Sequence, residues 1–265
     1  MLKIFPENYS KGDFPMTILK AEDSHRLAKL LKEASHVVFF GGAGVSTESG
    51  IPDFRGNGGL YSTDGEDNAY YLSRQCLVRE PEKFYEFYKR SMLYPNARPN
   101  GAHTALAELE KMGIIKAVMT QNIDGLHTDA GSKNVIELHG SSAKHYCMRC
   151  GKVFPKEAVT EAAGVPICDD CGGLIRPKVT LYGEALDERE LAKAEYHTNA
   201  ADLMIAAGSS LTVYPAAAFV KYFRGILVII NYSETDCDSM AELLYRDSVA
   251  KVLTETLRII KENEA

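Results

Sequence analysis

Apolar residues along this chain fall into two spacings. Short unbroken runs occur at Val37-Val38-Phe39-Phe40, Ile114 to Met119, Leu203 to Ala207 and Ile226 to Ile230. Such runs read as strands buried on both faces, the pattern of a parallel sheet. Between them, Leu27, Leu30 and Leu31 recur at helical spacing within 21–35, and 100–112, 215–223 and 249–261 also read as helices. Gly113 stands where a helix C-cap would fall. Pro81 opens a further helix carrying an aromatic stripe, Phe84, Tyr85, Phe87 and Tyr88, that reads as helix core or pocket wall. Strands alternating with helices predict an α/β fold built on an open parallel sheet. The alternation breaks at 140–180, where four cysteines and short polar turns mark an insertion, while 1–19 reads as irregular and 56–70, rich in Gly, Asp and Ser, as loop.

Composition narrows the setting. A hydrophobic share of 45% with 25% charged residues is ordinary for a globular protein. The net charge of −6 gives no bulk attraction to nucleic acid or to an anionic membrane. No apolar run approaches the roughly 18 residues of a membrane span, and the first residues lack the apolar core of a signal peptide. The expectation is a cytoplasmic protein with neither membrane nor direct nucleic-acid partners.

The cysteines carry the most specific spacing. Cys147 and Cys150 form one CxxC pair, Cys168 and Cys171 another, and seventeen residues separate the pairs. This is zinc-ribbon spacing. Four thiolates close a tetrahedral site and leave no open position, so the ion is expected to be structural. A redox CxxC would not need two copies, and Asp169-Asp170 in one knuckle opposes phosphate contact. Cys76 and Cys237, standing apart, read as buried small hydrophobes.

Two further stretches carry chemistry. Gly42-Ala43-Gly44 follows a strand and begins like a phosphate-cradling turn, although position 47 is Thr where a third glycine is usual. Ile51-Pro52-Asp53-Phe54-Arg55-Gly56 then places an aromatic that can cover a flat ring beside a guanidinium that can pair with phosphate. Gln121-Asn122-Ile123-Asp124 follows the strand ending near Met119, and open α/β sheets bind ligands at strand carboxyl ends. There Gln121 and Asn122 can hold ribose hydroxyls or a carboxamide, and Asp124 can accept from an amide or orient a water. An Asx-turn explains Asp124 alone but not all three residues. His139 ends the run Val135-Ile136-Glu137-Leu138-His139 before Gly140, a context for a general base; His127 has a similar one.

Taken in order, these motifs resemble the sirtuins, NAD-dependent protein-lysine deacylases. The matching segments are Gly42 to Ser46, Ser49 to Gly56, Gln121 to His127, Glu137-Leu138-His139-Gly140, the four cysteines, Gly208-Ser209-Ser210-Leu211 and Asn231, spread over roughly 20–260. The resemblance implies a Rossmann-like NAD domain over 20–139 and 176–263 with helices on both sheet faces. It also implies a zinc module inserted at 140–175 and a mobile cofactor-binding loop at 56–75. By motif, Ala43, Thr47, Phe54, Arg55, Gln121, Ser209, Ser210 and Asn231 would hold NAD, with Ser248 and Val249 a looser match. Ile123 and Asp124 would engage the nicotinamide carboxamide, Asn122 the ribose and a water, and His139 would be the general base.

The implied reaction sends the acyl group of a peptide or protein acyl-lysine to ADP-ribose as nicotinamide leaves. Arg176 to Glu184 looks like the family's substrate-pairing strand, with Leu181, Tyr182, Gly183 and Glu184 against the peptide; Lys178 and Thr180 depart from the commoner Asp and Val. Members favouring succinyl or malonyl groups carry a Tyr and, three residues on, an Arg. Here Tyr88 is followed by Lys89, Arg90 and Ser91, so acetyl or longer neutral acyls are expected over succinyl. Three other readings stand beside this one: a protein mono-ADP-ribosyltransferase using the same cleft, a non-catalytic zinc-ribbon binding module, and a hydride-transferring dehydrogenase. The last is disfavoured by the missing third glycine and the missing ribose-binding acid.

Overall fold

The computed structural model of the chain describes residues 18–54 and 67–264. In chain order the strands are β1 (Ile18–Leu19), β2 (Val37–Gly41), β3 (Ile115–Thr120), β4 (Val135–Glu137), β5 (Gly140–Cys147), β6 (Val153–Phe154), β7 (Ile175–Val179), β8 (Leu203–Ala207), β9 (Ile226–Ile230) and β10 (Leu243–Tyr245). The α-helices are α1 (His25–Glu33), α2 (Asp67–Tyr71), α3 (Arg74–Arg79), α4 (Pro81–Ser91), α5 (Gly101–Lys111), α6 (Leu126–Asp129), α7 (Glu157–Thr160), α8 (Glu188–Ala200), α9 (Ala218–Lys221) and α10 (Val249–Glu262). Among the described residues no helix is long and apolar enough to cross a membrane.

Seven strands pair in the order β1-β10-β9-β8-β2-β3-β4, and every pairing is parallel. The unbroken apolar runs are explained by burial on both faces. Val37 and Phe39 pack with α1, α5 and α10 through Leu31, Leu109 and Leu253. Val38 and Phe40 pack on the opposite layer with Ala194 of α8 and Val220 of α9. After β2 the chain builds outward through β3 and β4, then returns to add β8, β9 and β10 on β2's other side. That reversal puts a crevice at the carboxyl ends of β2 and β8, where open α/β sheets take ligands.

The two loops at this crevice meet backbone to backbone. Gly44 N–H donates to the Gly208 carbonyl at 2.8 Å. A Cβ on Gly44 would come within 2.7 Å of Gly208 Cα, and one on Gly208, whose φ is +58°, within 2.4 Å of Val45 N. Both positions therefore require glycine.

A second, smaller lobe stands over the crevice. Its antiparallel sheet runs β6-β5-β7. Its strands lie within the break in alternation read at 140–180, and β7 extends to Val179, past the 140–175 that the resemblance implied, because it pairs along β5 as far as Gly140. Helices α3 and α4 also join this lobe. Cys76, Leu77, Phe84, Tyr85 and Tyr88 share a core with Cys147, Cys168, Ile175 and Leu181, and the Tyr85 hydroxyl donates to the Ile175 carbonyl. Of the loop expected at 56–75, residues 56–66 lie outside the described residues, whereas 67–71 is helical and Arg74 begins the next helix. The helix expected over 215–223 is a single turn, Ala218–Lys221, entered through turns at 214–217.

Candidate active site

A cavity of about 500 Å³ lies between the lobes, at the carboxyl ends of β2, β3, β8 and β9. The β2 turn contributes Ala43, Thr47 and Phe54, and the β3 end contributes Gln121, Asn122, Ile123 and Asp124. Ser209 and Ser210 follow β8, Asn231 follows β9, and Val249 begins α10. From the small-lobe side come His139, Leu181, Tyr182, Gly183 and Glu184. Arg55 lies outside the described residues. Ser248 does not border the cavity: it is buried, caps α10 by accepting from Lys251 N–H at 3.1 Å, and donates to the Glu48 carboxylate. His127 also lies behind the cleft, 4.7 Å from the His103 ring. Burial, reinforced by His103, holds it down to about 3, so it stays neutral.

One hydroxyl ties the β2 turn to the β3 end. Ser46 Oγ donates to Asp124 Oδ2 at 2.7 Å and accepts from Asn122 Nδ2 at 3.0 Å. The other carboxylate oxygen accepts from Leu126 N–H at 2.9 Å. Asn122's own N–H donates to Thr120 Oγ1 at 3.0 Å. Asn100, the N-cap of α5, holds the same turn from below by donating to the Val45 carbonyl at 2.8 Å and to Ser49 Oγ at 3.0 Å. Neither Ser46 nor Asn100 was singled out from sequence as a site residue. Asn100 falls at the start of the helix read over 100–112, but nothing local reveals a partner 55 residues away.

His139 stands where the lobes join. Its Nδ1 lies 2.9 Å from the Gln121 carbonyl. A carbonyl only accepts, so Nδ1 carries the hydrogen and Nε2 of the neutral ring is left as an acceptor. Burial pushes its pKa below the usual histidine value, partly opposed by the bond to Gln121. The His139 carbonyl accepts from Thr180 N–H at 2.9 Å, which ties the ring to the strand leading to Leu181. On the far side, Gln121 Nε2 donates to Ser209 Oγ at 3.0 Å, and Leu211 N–H donates to the same oxygen at 3.2 Å. Leu211 has φ +56°, an unfavourable conformation of the kind concentrated at ligand-holding loops.

The 181–184 turn is fixed by a buried ion pair. Arg176, 4% exposed, reaches the Glu184 carboxylate at 2.9 Å and the Val179 carbonyl at 2.7 Å. Burial alone would raise the Glu184 carboxyl, but the guanidinium and the Leu181 N–H outweigh it and hold the group below the usual range. Tyr182 is paired by backbone to the small-lobe helices, its N–H to the Leu72 carbonyl and its carbonyl to Arg74 N–H, both at 3.0 Å. Among the described residues the cavity wall holds Asp53, Asp124, Glu184 and Glu234 but neither Lys nor Arg. A bound pyrophosphate would meet the backbone of the glycine turn, where Gly42 and Gly44 border the cavity. Amides and hydroxyls at Gln121, Ser209, Ser210 and Asn231 fit ribose and ring edges, so the residues present suit a dinucleotide.

In the small lobe the Sγ atoms of Cys147, Cys150, Cys168 and Cys171 lie within 4.8 Å of one another. Cys147 and Cys171 are 3.4 Å apart and Cys150 and Cys168 3.8 Å. A tetrahedral ion with Zn–S bonds of about 2.3 Å places its sulfurs about 3.8 Å apart. The four cysteines therefore fit one structural zinc ion.

Residues 42–215 match the profile described as the Sir2 family. A Cutibacterium acnes protein named NAD-dependent protein deacetylase is 48% identical over 239 residues, 89% of this chain and 98% of that protein. A Clostridium perfringens protein of the same name is 48% identical, covering 88% of this chain and 98% of that one. Among solved structures, a Sir2 mutant with a deacetylated p53 peptide and 3'-O-acetyl-ADP-ribose superimposes with a TM-score of 0.83 at 41% identity, covering 91% of this chain and 98% of the other. A Sir2–p53 peptide–NAD+ complex gives 0.79 at 43% identity, covering 90% and 97%.

The cysteine geometry makes a direct prediction. Purified protein holds about one zinc per chain by elemental analysis. Cys168→Ser loses it and lowers the thermal midpoint, because Cys168 and Cys147 belong to the core shared with α3 and α4. A zinc-free protein melting at the wild-type temperature would contradict a structural ion.

Proposed function

This chain belongs to the Sir2 family, and we infer from that membership and from its cleft that it is an NAD-dependent protein deacetylase acting on acetyl-lysine in peptides or proteins. Acetyl-lysine, NAD and water give free lysine, nicotinamide and O-acetyl-ADP-ribose. NAD, when bound, supplies the electrophilic ribose carbon and the nicotinamide leaving group.

The chain's own residues hold, orient and move a proton. Ala43, Thr47, Phe54, Arg55, Gln121, Ser209, Ser210 and Asn231 bind the dinucleotide, with Val249 at its far end and Ser248 acting only as the cap behind it. Ile123 and Asp124 face the nicotinamide carboxamide, with the Asp124 carboxylate held by Ser46 and Leu126 N–H so that it accepts in a fixed direction. Asn122 orders the ribose and a water. His139 Nε2 takes a proton from a ribose hydroxyl, and the Nδ1–H bond to Gln121 holds the ring for that task. Leu181 to Glu184 receive the peptide, and closure between the lobes keeps bulk water out. The His139 geometry carries this reading, since it presents one unprotonated ring nitrogen in a cleft floored by the amide and carboxylate cluster. The cleft's acidic wall and the net charge of −6 argue against nucleic acid as a partner. Paired CxxC thiolates suited to a metal favour a reducing compartment, which supports a cytoplasmic setting.

The test is mass spectrometry of an acetyl-lysine peptide with NAD. Wild type yields O-acetyl-ADP-ribose and nicotinamide in equal amounts, and His139→Ala yields neither. ADP-ribose mass added to protein, with no acetyl lost, would establish the transferase instead. Because His139 works unprotonated and its pKa is lowered from 6.5, kcat/KM falls toward acid with a midpoint below pH 6.5 and is level just above it. A midpoint above 7 would contradict His139 as the base.

Acyl preference follows from where the cations go. Lys89 Nζ donates to the Gly164 carbonyl at 3.2 Å and to the Ala162 carbonyl at 2.5 Å, and the Arg90 guanidinium lies 5.8 Å from the Phe87 ring centre. Neither borders the cavity. Among the described residues no cation borders the cavity to meet a succinyl carboxylate, so acetyl-peptide kcat/KM exceeds succinyl by more than about tenfold. Equal rates in a side-by-side assay would contradict this.

A further inference from the structure

Arg246 stands behind the cleft, and none of the roles above uses it. β10 pairs with β9 so that Tyr245 lies opposite Ile230. The residues that follow, Arg246 and Asn231, therefore leave the sheet edge side by side, and Asn231 N–H donates to the Tyr245 carbonyl at 3.0 Å. The Arg246 guanidinium spans the loop that begins at Asn231. One arm donates to the Asn231 carbonyl at 3.2 Å, and the other pairs with the Asp238 carboxylate, where the loop ends. Asp238 in turn accepts from the Thr235 hydroxyl at 2.8 Å and from Thr235 N–H at 3.2 Å. The side chains of Arg246 and Asp238 are each 13% exposed, so the pair is sheltered from the water that makes surface pairs weak.

The stretch between these two anchors faces the cleft. Asn231, Tyr232, Ser233 and Glu234 border the cavity, whereas Arg246 does not. In the strand order β9-β8-β2-β3, three strand spacings, about 14 Å, separate this loop from the amide and carboxylate cluster after β3. With the nicotinamide at that cluster, the adenosine end of the dinucleotide reaches the loop after β9. A loop that the ligand must order weakens binding, and a loop held beforehand does not. A planar fork of donors can hold both anchors at once, which a single ammonium nitrogen cannot.

Resting on the deacetylase reading, we propose that Arg246 is a positioning residue for the cofactor. It clamps both ends of the 231–238 loop from behind and so sets the affinity for the adenosine end of NAD, while the peptide side and the chemistry are left alone.

The experiment compares Arg246→Lys with wild type, using the full chain, NAD and an acetyl-lysine peptide. The substitution keeps a positive charge beside Asp238, so the thermal midpoint stays near the wild-type value, but it gives up the bond to the Asn231 carbonyl. KM for NAD rises about tenfold, and so does the Kd for ADP-ribose by calorimetry, the scale of one hydrogen bond from a charged donor. Neither kcat nor KM for the peptide changes, because His139 and the 181–184 turn are held by other bonds. Unchanged constants for NAD and ADP-ribose, a loss carried by kcat or by the peptide KM, or a lowered midpoint overturns the proposal alone. Failure of wild type to deacetylate overturns the deacetylase reading, and the ADP-ribose titration, which needs no turnover, then still decides the role of Arg246.

Discussion

The cleft depends on one side-chain oxygen, Ser46 Oγ, which accepts from Asn122 and donates to Asp124. Because β2 and β3 are neighbours in the sheet, the turn after one and the amide cluster after the other leave the same edge side by side. Backbone pairing stops at the strand ends, where Gln121 N–H meets the Gly41 carbonyl. Beyond that point, among the described residues, side chains hold the two segments in register. Ser46 is fully buried, so its two bonds operate where water does not compete and an unmade bond is expensive. Asn100 fixes the same turn from α5, and the close approach of Gly44 to Gly208 fixes it against the β8 loop. The dinucleotide side of the cleft is thereby set before any ligand arrives.

The peptide side is set by the second lobe, and His139 belongs to both. Its ring is held by the Gln121 carbonyl of the large sheet, while its own carbonyl receives Thr180 N–H from the strand that continues β7. A shift of one lobe against the other would therefore move His139 relative to the Gln121-to-Asp124 cluster. The cysteine cluster sits in the core that anchors α4, which links the zinc to the wall carrying Tyr88. A zinc ion held by the four cysteines would stiffen this wall and would leave no position open to substrate.

The sequence was most legible where a residue's role follows from its neighbours in the chain. Val37 to Phe40 and Leu203 to Ala207 are apolar on both faces, so parallel strands could be read from the run itself. The two CxxC pairs specify their site by spacing alone. The stripe at Phe84, Tyr85, Phe87 and Tyr88 gave a helix with something to bury, but not what it would bury against. The answer, Cys147, Ile175 and Leu181, lies more than 50 residues downstream. Ser46 and Asp124 are 78 apart, and no local signal pairs them. Ser248 and Val249 are adjacent, yet the helix N-terminus turns one inward as a cap and leaves the other on the cavity. Such a distinction rests on a single backbone turn, which residue type does not encode.

The central claim, that Ser46 and Asp124 act as one unit holding the cleft, is tested most directly by a double-mutant cycle. Ser46→Ala, Asp124→Ala and the double variant are compared in kcat/KM for NAD during deacetylation of a single acetyl peptide. Residues in one hydrogen-bonded network lose activity non-additively. The double variant is expected to be little worse than the poorer single one. Losses that multiply would show that the two residues act independently and would contradict it.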